Sequence, residues 1–368
     1  MVDRDIIVDH NVLVAAGVTI TPKMIESFRR RGIDEIEVSR DSELADALVE
    51  REPEDPVTTL LSRTGEIYAQ HNLELAIPPE VLEDATDQVE GFFTELEMGQ
   101  EVDMDVARGV VNNLVSIFSS RANLAVKLLD LDSFDRYTYR HSINVGLLMM
   151  LVMQDWVENQ EELEDLVFGA VLHDMGKAKV GADVINKPGK LTDEEWDLMR
   201  KHPIWSAEML SEAEASPNAI GIARSHHERL DGTGYPNGLD AAELNRFSRL
   251  SAICDVYDAL TTKRSYKAKM DFAKAIDIIL QGCGTHFDPE VAHEFIRRVG
   301  RYPVGTFIKL SSGEIAVVLR TNERAINRPV VSRVVAADGR QIETGEELNL
   351  AIRPDLYITQ VVAGVQPT

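Results

Sequence analysis

The 368-residue sequence predicts a mainly α-helical protein, with a small mixed unit at the front and a short strand-rich extension at the end. Three observations carry that reading. Between residue 79 and about residue 299, apolar residues recur three and four positions apart, the spacing of one helix face. The breaks between those segments hold Gly, Pro and Asp. Beyond Pro303 the texture shifts to short β-branched runs separated by Ser-Ser-Gly and Asp-Gly turns.

In chain order, residues 6–8 and 12–16 are apolar. A helix is expected from Pro22, ending in Arg29, Arg30, Arg31 and Gly32, with a returning strand at 36–38. The three arginines read as a solvated helix end rather than an anion site. Residues 41–56 are acidic and carry Pro53 and Pro56, which marks a break. Helices are predicted over 79–97 and 103–131, the second with Val106, Val110, Leu114, Ile117 and Phe118 on one stripe. That stripe needs a cover, either the downstream domain or a second copy in a homodimer. Further helices are expected near 138–154, 161–173, 192–213, 217–227, 243–262, 272–281 and 288–299, and strands near 306–310, 314–320 and 329–335. The division that follows is 1–130, 131–302 and 303–368.

Composition narrows the function classes. There are 62 Asp and Glu against 38 Lys and Arg, a net charge of −24, and pI is about 4.8. A surface for duplex nucleic acid or anionic lipid needs clustered cations, so neither partner is expected. Only Cys254 and Cys283 are present, too few for a disulfide framework, which suits a reducing cytosol. The first residues lack a signal-peptide pattern. The longest apolar run, 145–153, falls well short of the ~20 residues that span a bilayer. The expected location is the cytoplasm.

The chemistry lies in the middle. Five of the nine histidines, His141, His173, His202, His226 and His227, fall between positions 141 and 227, and Asp174 and Asp255 accompany them. Each alone has a plain explanation, such as a core histidine or a solvated helix end. The apolar runs before His173–Asp174 and before Asp255 change this, because polar groups emerging from buried segments need partners. Imidazole with carboxylate suits Fe, Mn, Ni or Zn, whereas an all-oxygen set suits Mg or Ca. Seven ligands exceed the needs of one ion and match two with a bridging carboxylate, an arrangement suited to phosphoryl hydrolysis. His10, His71, His286 and His293 are left outside the set.

The strings HDMGK, KPGKLTDEEW, KHP, HHERLDGTGYP and DVYDALTTKRSYK resemble the HD-GYP family, a branch of the HD metal-dependent phosphohydrolases. The resemblance runs over about 133–300, and more weakly over 303–319. It implies an HD-type helical bundle that hydrolyses cyclic di-GMP to linear pGpG, GMP or both by a metal-bridged hydroxide. It implies His141, His173, Asp174 and Asp255 around one ion and His202, His226 and His227 around the other, with Asp174 bridging. The cofactors implied are two divalent transition metals, Fe or Mn ahead of Ni or Zn. Lys177 matches the family lysine beside the attacked phosphate, which makes it and Asp174 the catalytic pair. Gly234, Tyr235 and Pro236 match the signature loop, held in a tight turn with Gly232, and Arg264 and Lys267 match the substrate-phosphate contacts. Some family members carry a third-metal Glu where this chain has Tyr137, a poor ligand at neutral pH, so two ions are expected. Two rival expectations stand beside this: a phosphodiesterase for cyclic GMP-AMP, and a weakly active cyclic-dinucleotide-binding module that docks other proteins through the GYP loop and the N-terminal helices.

Overall fold

The computed structural model describes residues 6–8, 11–14, 56–73, 76–120, 137–262, 270–343 and 345–362. The chain separates into two compact units, 1–56 and 57–368. In the first, β1 (Ile6–Val8) and β2 (Asn11–Val14) form an antiparallel hairpin with Ile7 opposite Val12. These strands coincide with the two apolar runs. The helix expected from Pro22, the three arginines, the strand at 36–38 and the acidic segment 41–55 lie outside the described residues.

The second unit opens with two short helices, α1 (Pro56–Ser62) and α2 (Thr64–Gln70), followed by α3 (Pro79–Glu97) and α4 (Met104–Ser119). Pro79 starts α3 at a position where its missing N–H costs nothing, and Asp103 caps α4 by accepting from the Asp105 N–H at 2.9 Å. The apolar stripes of both helices are buried in one cluster with α5 (Tyr137–Met153) and α6 (Gln160–Val171). The chain itself covers most of the α4 stripe, with Val110, Val111, Leu114 and Val115 5% exposed or less, while Val106 at its start stays 46% exposed. Residues 121–131 of the expected long helix lie outside the described residues.

Around α5 and α6 pack α9 (His202–Glu212), α10 (Pro217–Ser225), α11 (Arg246–Thr261), α12 (Phe272–Gly282) and α13 (Pro289–Val299). Each start has a local cause: Asn159, Ser216, Asn245, Asp271 and Asp288 accept a bond from a first-turn N–H of α6, α10, α11, α12 and α13 respectively. At Gly169 of α6 an added Cβ would lie 2.6 Å from the Ala219 carbonyl oxygen, so α6 and α10 touch backbone to backbone. The small helix α7 (Ala182–Ile185) precedes α8 (Asp193–Met199), which a Thr192–Glu195 capping box begins.

One expected element differs. The segment 192–213 is two helices, α8 and α9, broken at Arg200 and Lys201. Pro203 supplies the reason: it has no N–H for the Met199 carbonyl, so a continuous helix would leave that oxygen without its bond.

The strand-rich extension is a five-stranded antiparallel sheet in the order β6-β5-β4-β3-β7. Its strands are β3 (Phe307–Leu310), β4 (Ile315–Arg320), β5 (Val330–Val335), β6 (Glu347–Asn349) and β7 (Ile358–Val361). β3 to β5 match the predicted runs, while β6 and β7 were too short and polar to stand out. Leu60 of α1 and Ile67 of α2 share a buried cluster with Phe307, Val317 and Val335, so the opening helices cover one face of the closing sheet. The Tyr68 hydroxyl donates to the Gly305 carbonyl at 2.8 Å, and its ring stacks on Phe307.

Candidate metal centre

The five histidines and two aspartates converge on one buried point. Asp174 follows the end of α6, opens the 3₁₀ turn Met175–Lys179, and is 1% exposed. Its Oδ2 lies 3.4 Å from His173 Nε2 and 3.9 Å from His141 Nε2, and its Oδ1 lies 3.2 Å from His202 Nε2 and 3.7 Å from His226 Nε2. One carboxylate therefore stands between two sets of imidazoles. The ligand atoms group as His141, His173 and Asp174, and as Asp174, His202, His226 and His227. Asp255 joins the sets from α11: Oδ1 is 3.1 Å from His141 Nε2 and Oδ2 is 3.6 Å from His227 Nδ1.

Local structure aims the rings. His173 Nδ1 donates to the Ala170 carbonyl at 2.7 Å, His202 Nδ1 to Met199 at 2.8 Å, and His226 Nδ1 to Ala223 at 2.7 Å. Each acceptor sits three residues earlier, at the end of a helix where carbonyls lack intrahelical partners. For His202 it is the oxygen that Pro203 leaves free. A carbonyl can only accept, so these bonds put the proton on Nδ1 and leave Nε2 bare toward Asp174. His141, one helical turn before the middle of α5, is fixed by a carboxylate instead: its Nδ1 lies 2.7 Å from Asp258 Oδ2.

This geometry fits a cation. The Nε2 atoms of His202 and His226 are 3.1 Å apart, and in neutral rings whose protons sit on Nδ1 both present lone pairs. His173 Nε2 and Asp174 Oδ1 are buried without a hydrogen-bond donor. Asp174 Oδ1 faces His202 at 3.2 Å, but a bare Nε2 donates nothing, so the contact brings two acceptors together. An ion between them removes both deficits.

Charges are arranged accordingly. Burial pushes the Asp174 carboxyl up, but the charge of Lys177 beside it acts the other way, and the group lies well below the usual range. Asp255 is likewise depressed against its burial by the His141 hydrogen bond and by His227. Burial first, then the neighbouring imidazole of His227, takes His226 far below its ordinary value, and burial carries His227 down to about 3 despite Asp255. Both rings are neutral near pH 7, the form that binds metal. Burial alone would lower His141 too, but Asp255 and Asp258 raise it to about 9. The Lys177 ammonium lies 2.5 Å from Asp174 Oδ2.

Residues 126–291 match the HD domain, and residues 307–366, the closing sheet, match the KOW domain associated with HD domain. A cyclic di-GMP phosphodiesterase from Pseudomonas aeruginosa is 38% identical over 66% of this chain and 59% of its own. A second, from Vibrio cholerae, is 45% identical over 36% of this chain and 29% of its own. A 3'3'-cGAMP-specific phosphodiesterase, also from Vibrio cholerae, is 33% identical over 43% of this chain and 35% of its own. Residues 126–291 thus match an HD domain and are similar to those of cyclic di-GMP phosphodiesterases. The chain spans less than two thirds of the length of these relatives.

The loop that carries Gly234, Tyr235 and Pro236 lies against the second set of histidines. Tyr235 N–H donates to the His227 carbonyl at 3.2 Å, and its ring lies 4.7 Å from the His227 ring, tilted by 33°. Burial raises the Tyr235 hydroxyl well above its ordinary value, so it remains a neutral donor. Gly234 is held for packing: a Cβ would lie 2.5 Å from Glu228 Cα. Pro236 follows Tyr235 in the loop. Arg264 and Lys267 lie outside the described residues, and Tyr137 is described in its backbone only, at the start of α5. His286 stacks on Phe287.

Two functional residues escaped the sequence reading. Asp258 orients His141 and also accepts from Asn144 Nδ2 at 2.8 Å and Thr262 Oγ1 at 3.0 Å. Its signal was present, since in DVYDAL the two aspartates lie three apart and share a helix face. Glu228, inside HHERLDGTGYP, is a buried acid at 1% exposure. Among the described helices, none is long and apolar enough to cross a membrane.

Proposed function

We propose that the chain is a metal-dependent phosphodiesterase that opens cyclic di-GMP to linear pGpG, GMP or both. The observation that supports this most is the Asp174 carboxylate between two imidazole sets, His141 and His173 on one oxygen, His202 and His226 on the other. In this reading His141, His173, Asp174 and Asp255 hold one divalent ion and His202, His226 and His227 the other, Fe or Mn before Ni or Zn. Two ions, not three, follow from Tyr137 in place of an acid. Bound there, the ions would lower the pKa of a water to the neutral range and offset the charge of an in-line displacement.

The protein's own residues supply the rest. Lys177 holds its ammonium against Asp174 at the rim of the site, where it neutralises charge on the attacked phosphate or gives a proton to the leaving oxygen. Tyr235, fixed over His227 by Gly234 and Pro236, offers a flat ring and a neutral hydroxyl to a base or phosphate. Arg264 and Lys267 are assigned the other phosphate oxygens. The division into 1–130, 131–302 and 303–368 assigns this chemistry to the middle segment, and the cytoplasm is the proposed location. The relative that acts on 3'3'-cGAMP supports cyclic GMP-AMP as a second substrate.

The test is to incubate Mn- or Fe-loaded protein with cyclic di-GMP and with cyclic GMP-AMP and follow linear products by chromatography. Linear product from either is expected, and Asp174→Ala should abolish it while lowering bound metal. Binding without any product would favour a docking module, and an active Asp174→Ala protein would remove the metal assignment.

A further inference from the structure

Glu228 sits directly after the two adjacent histidines and is buried, yet its partners are backbone amides. Oε1 accepts from the N–H of Asn237 at 2.7 Å and Gly238 at 3.2 Å, and Oε2 from the N–H of Leu239 at 3.1 Å. These three successive amides point inward, where they would otherwise be donors without acceptors. The loop they belong to is closed at its neck by an isolated bridge between Asp231 and Asp240. Gly232 and Gly238 take φ of +71° and +68° there, and a Cβ at Gly238 would lie 3.2 Å from the Gly232 oxygen. At the other end Gly234 rests on the backbone of Glu228 and Arg229, and Tyr235 on His227.

We propose that Glu228 is the positioning residue of the signature loop: its carboxylate fills the loop from inside and fixes the Tyr235 ring over the His227 side of the metal centre. The metal-bearing residues and the wall that receives the substrate are thereby tied through one side chain, one residue after a ligand. The inference rests on the reading that this site takes a cyclic dinucleotide. The length of the side chain matters, since Asp would retract the oxygens by one methylene. Gln would keep the volume but turn one N–H group toward the Leu239 N–H, donor against donor.

The experiment compares full-length, Mn-loaded wild type with Glu228→Gln, and with Glu228→Asp should the amide variant fold poorly. Four quantities are measured: bound metal, KM and kcat for cyclic di-GMP, turnover of bis(p-nitrophenyl) phosphate, and hydrogen exchange at the amides of 237–239. The small diester needs the metal centre but carries none of the bases that the loop would receive. The expected result is faster exchange at those amides and a KM raised about tenfold, the effect of one lost charge-assisted bond, with bound metal and small-diester turnover unchanged. An unchanged KM would overturn the proposal, as would parallel loss of metal and of both activities, which would place Glu228 in support of the ligands instead. If wild type itself does not open a cyclic dinucleotide, the substrate reading falls. Exchange at 237–239 then decides the loop contact alone: faster exchange retains it and unchanged exchange ends it.

Discussion

An imidazole serves a cation only if one nitrogen is bare and correctly aimed, and three rings here secure both conditions with a carbonyl three residues upstream. His141 depends on a side chain, and this makes Asp258 the sensitive point of its set. Asp258→Asn keeps one acceptor for the three groups now bound by two oxygens, and should weaken metal retention about 10- to 100-fold, read as metal content after dialysis against a weak chelator. Retention equal to wild type would mean the His141 ring is held by its helix alone. The seven residues drawn together were legible because their types carry the chemistry themselves, even though up to 114 positions separate His141 from Asp255. Asp258 and Glu228 were harder to read because a positioning acid in sequence looks like any surface acid. Only the partners, an imidazole across the bundle and amides nine to eleven residues on, distinguish them.

At the scale of elements, the helices were visible where caps and apolar spacing agreed. The merged helix at 192–213 arose because periodicity continues through Arg200 and Lys201 while the Met199 carbonyl bond does not. Capping also gives a quantitative expectation. Asp288 accepts from the N–H of Glu290 at 2.8 Å and of Val291 at 3.1 Å, and its other oxygen meets Arg249 Nη1 at 2.5 Å. Asp288→Ala should lower stability to urea by about 1–2 kcal/mol. Burial pushes the Asp288 carboxyl up, but the Val291 amide and Arg249 outweigh it and hold it below its ordinary 3.8. A depressed folded value contributes stability above the unfolded pKa and loses it as pH falls through the folded one. The difference between wild type and variant should thus be flat across neutral pH and close below 3.8. A gap that widens in acid would contradict the assignment.

The whole second unit is held together at a place that local patterns do not reveal. The partners of Leu60 and Ile67, Phe307, Val317 and Val335, lie 240 to 275 residues away in the sequence. Leu60 is fully buried there, so Leu60→Ala should cost about 2–5 kcal/mol in global unfolding, as a core truncation does. A cost below about 0.5 kcal/mol, typical of a surface change, would mean that α1 does not seal the sheet. The contact also includes Val362, so the first helix of the unit and the residue after its last strand share one cluster. In topological terms the unit is a ring of chain with a single seam. A linker from residue 362 back to residue 57 would close it, and new ends opened at the exposed Ser312 turn between β3 and β4 should give a circular permutant of the second unit that keeps the cluster between its opening helices and the sheet.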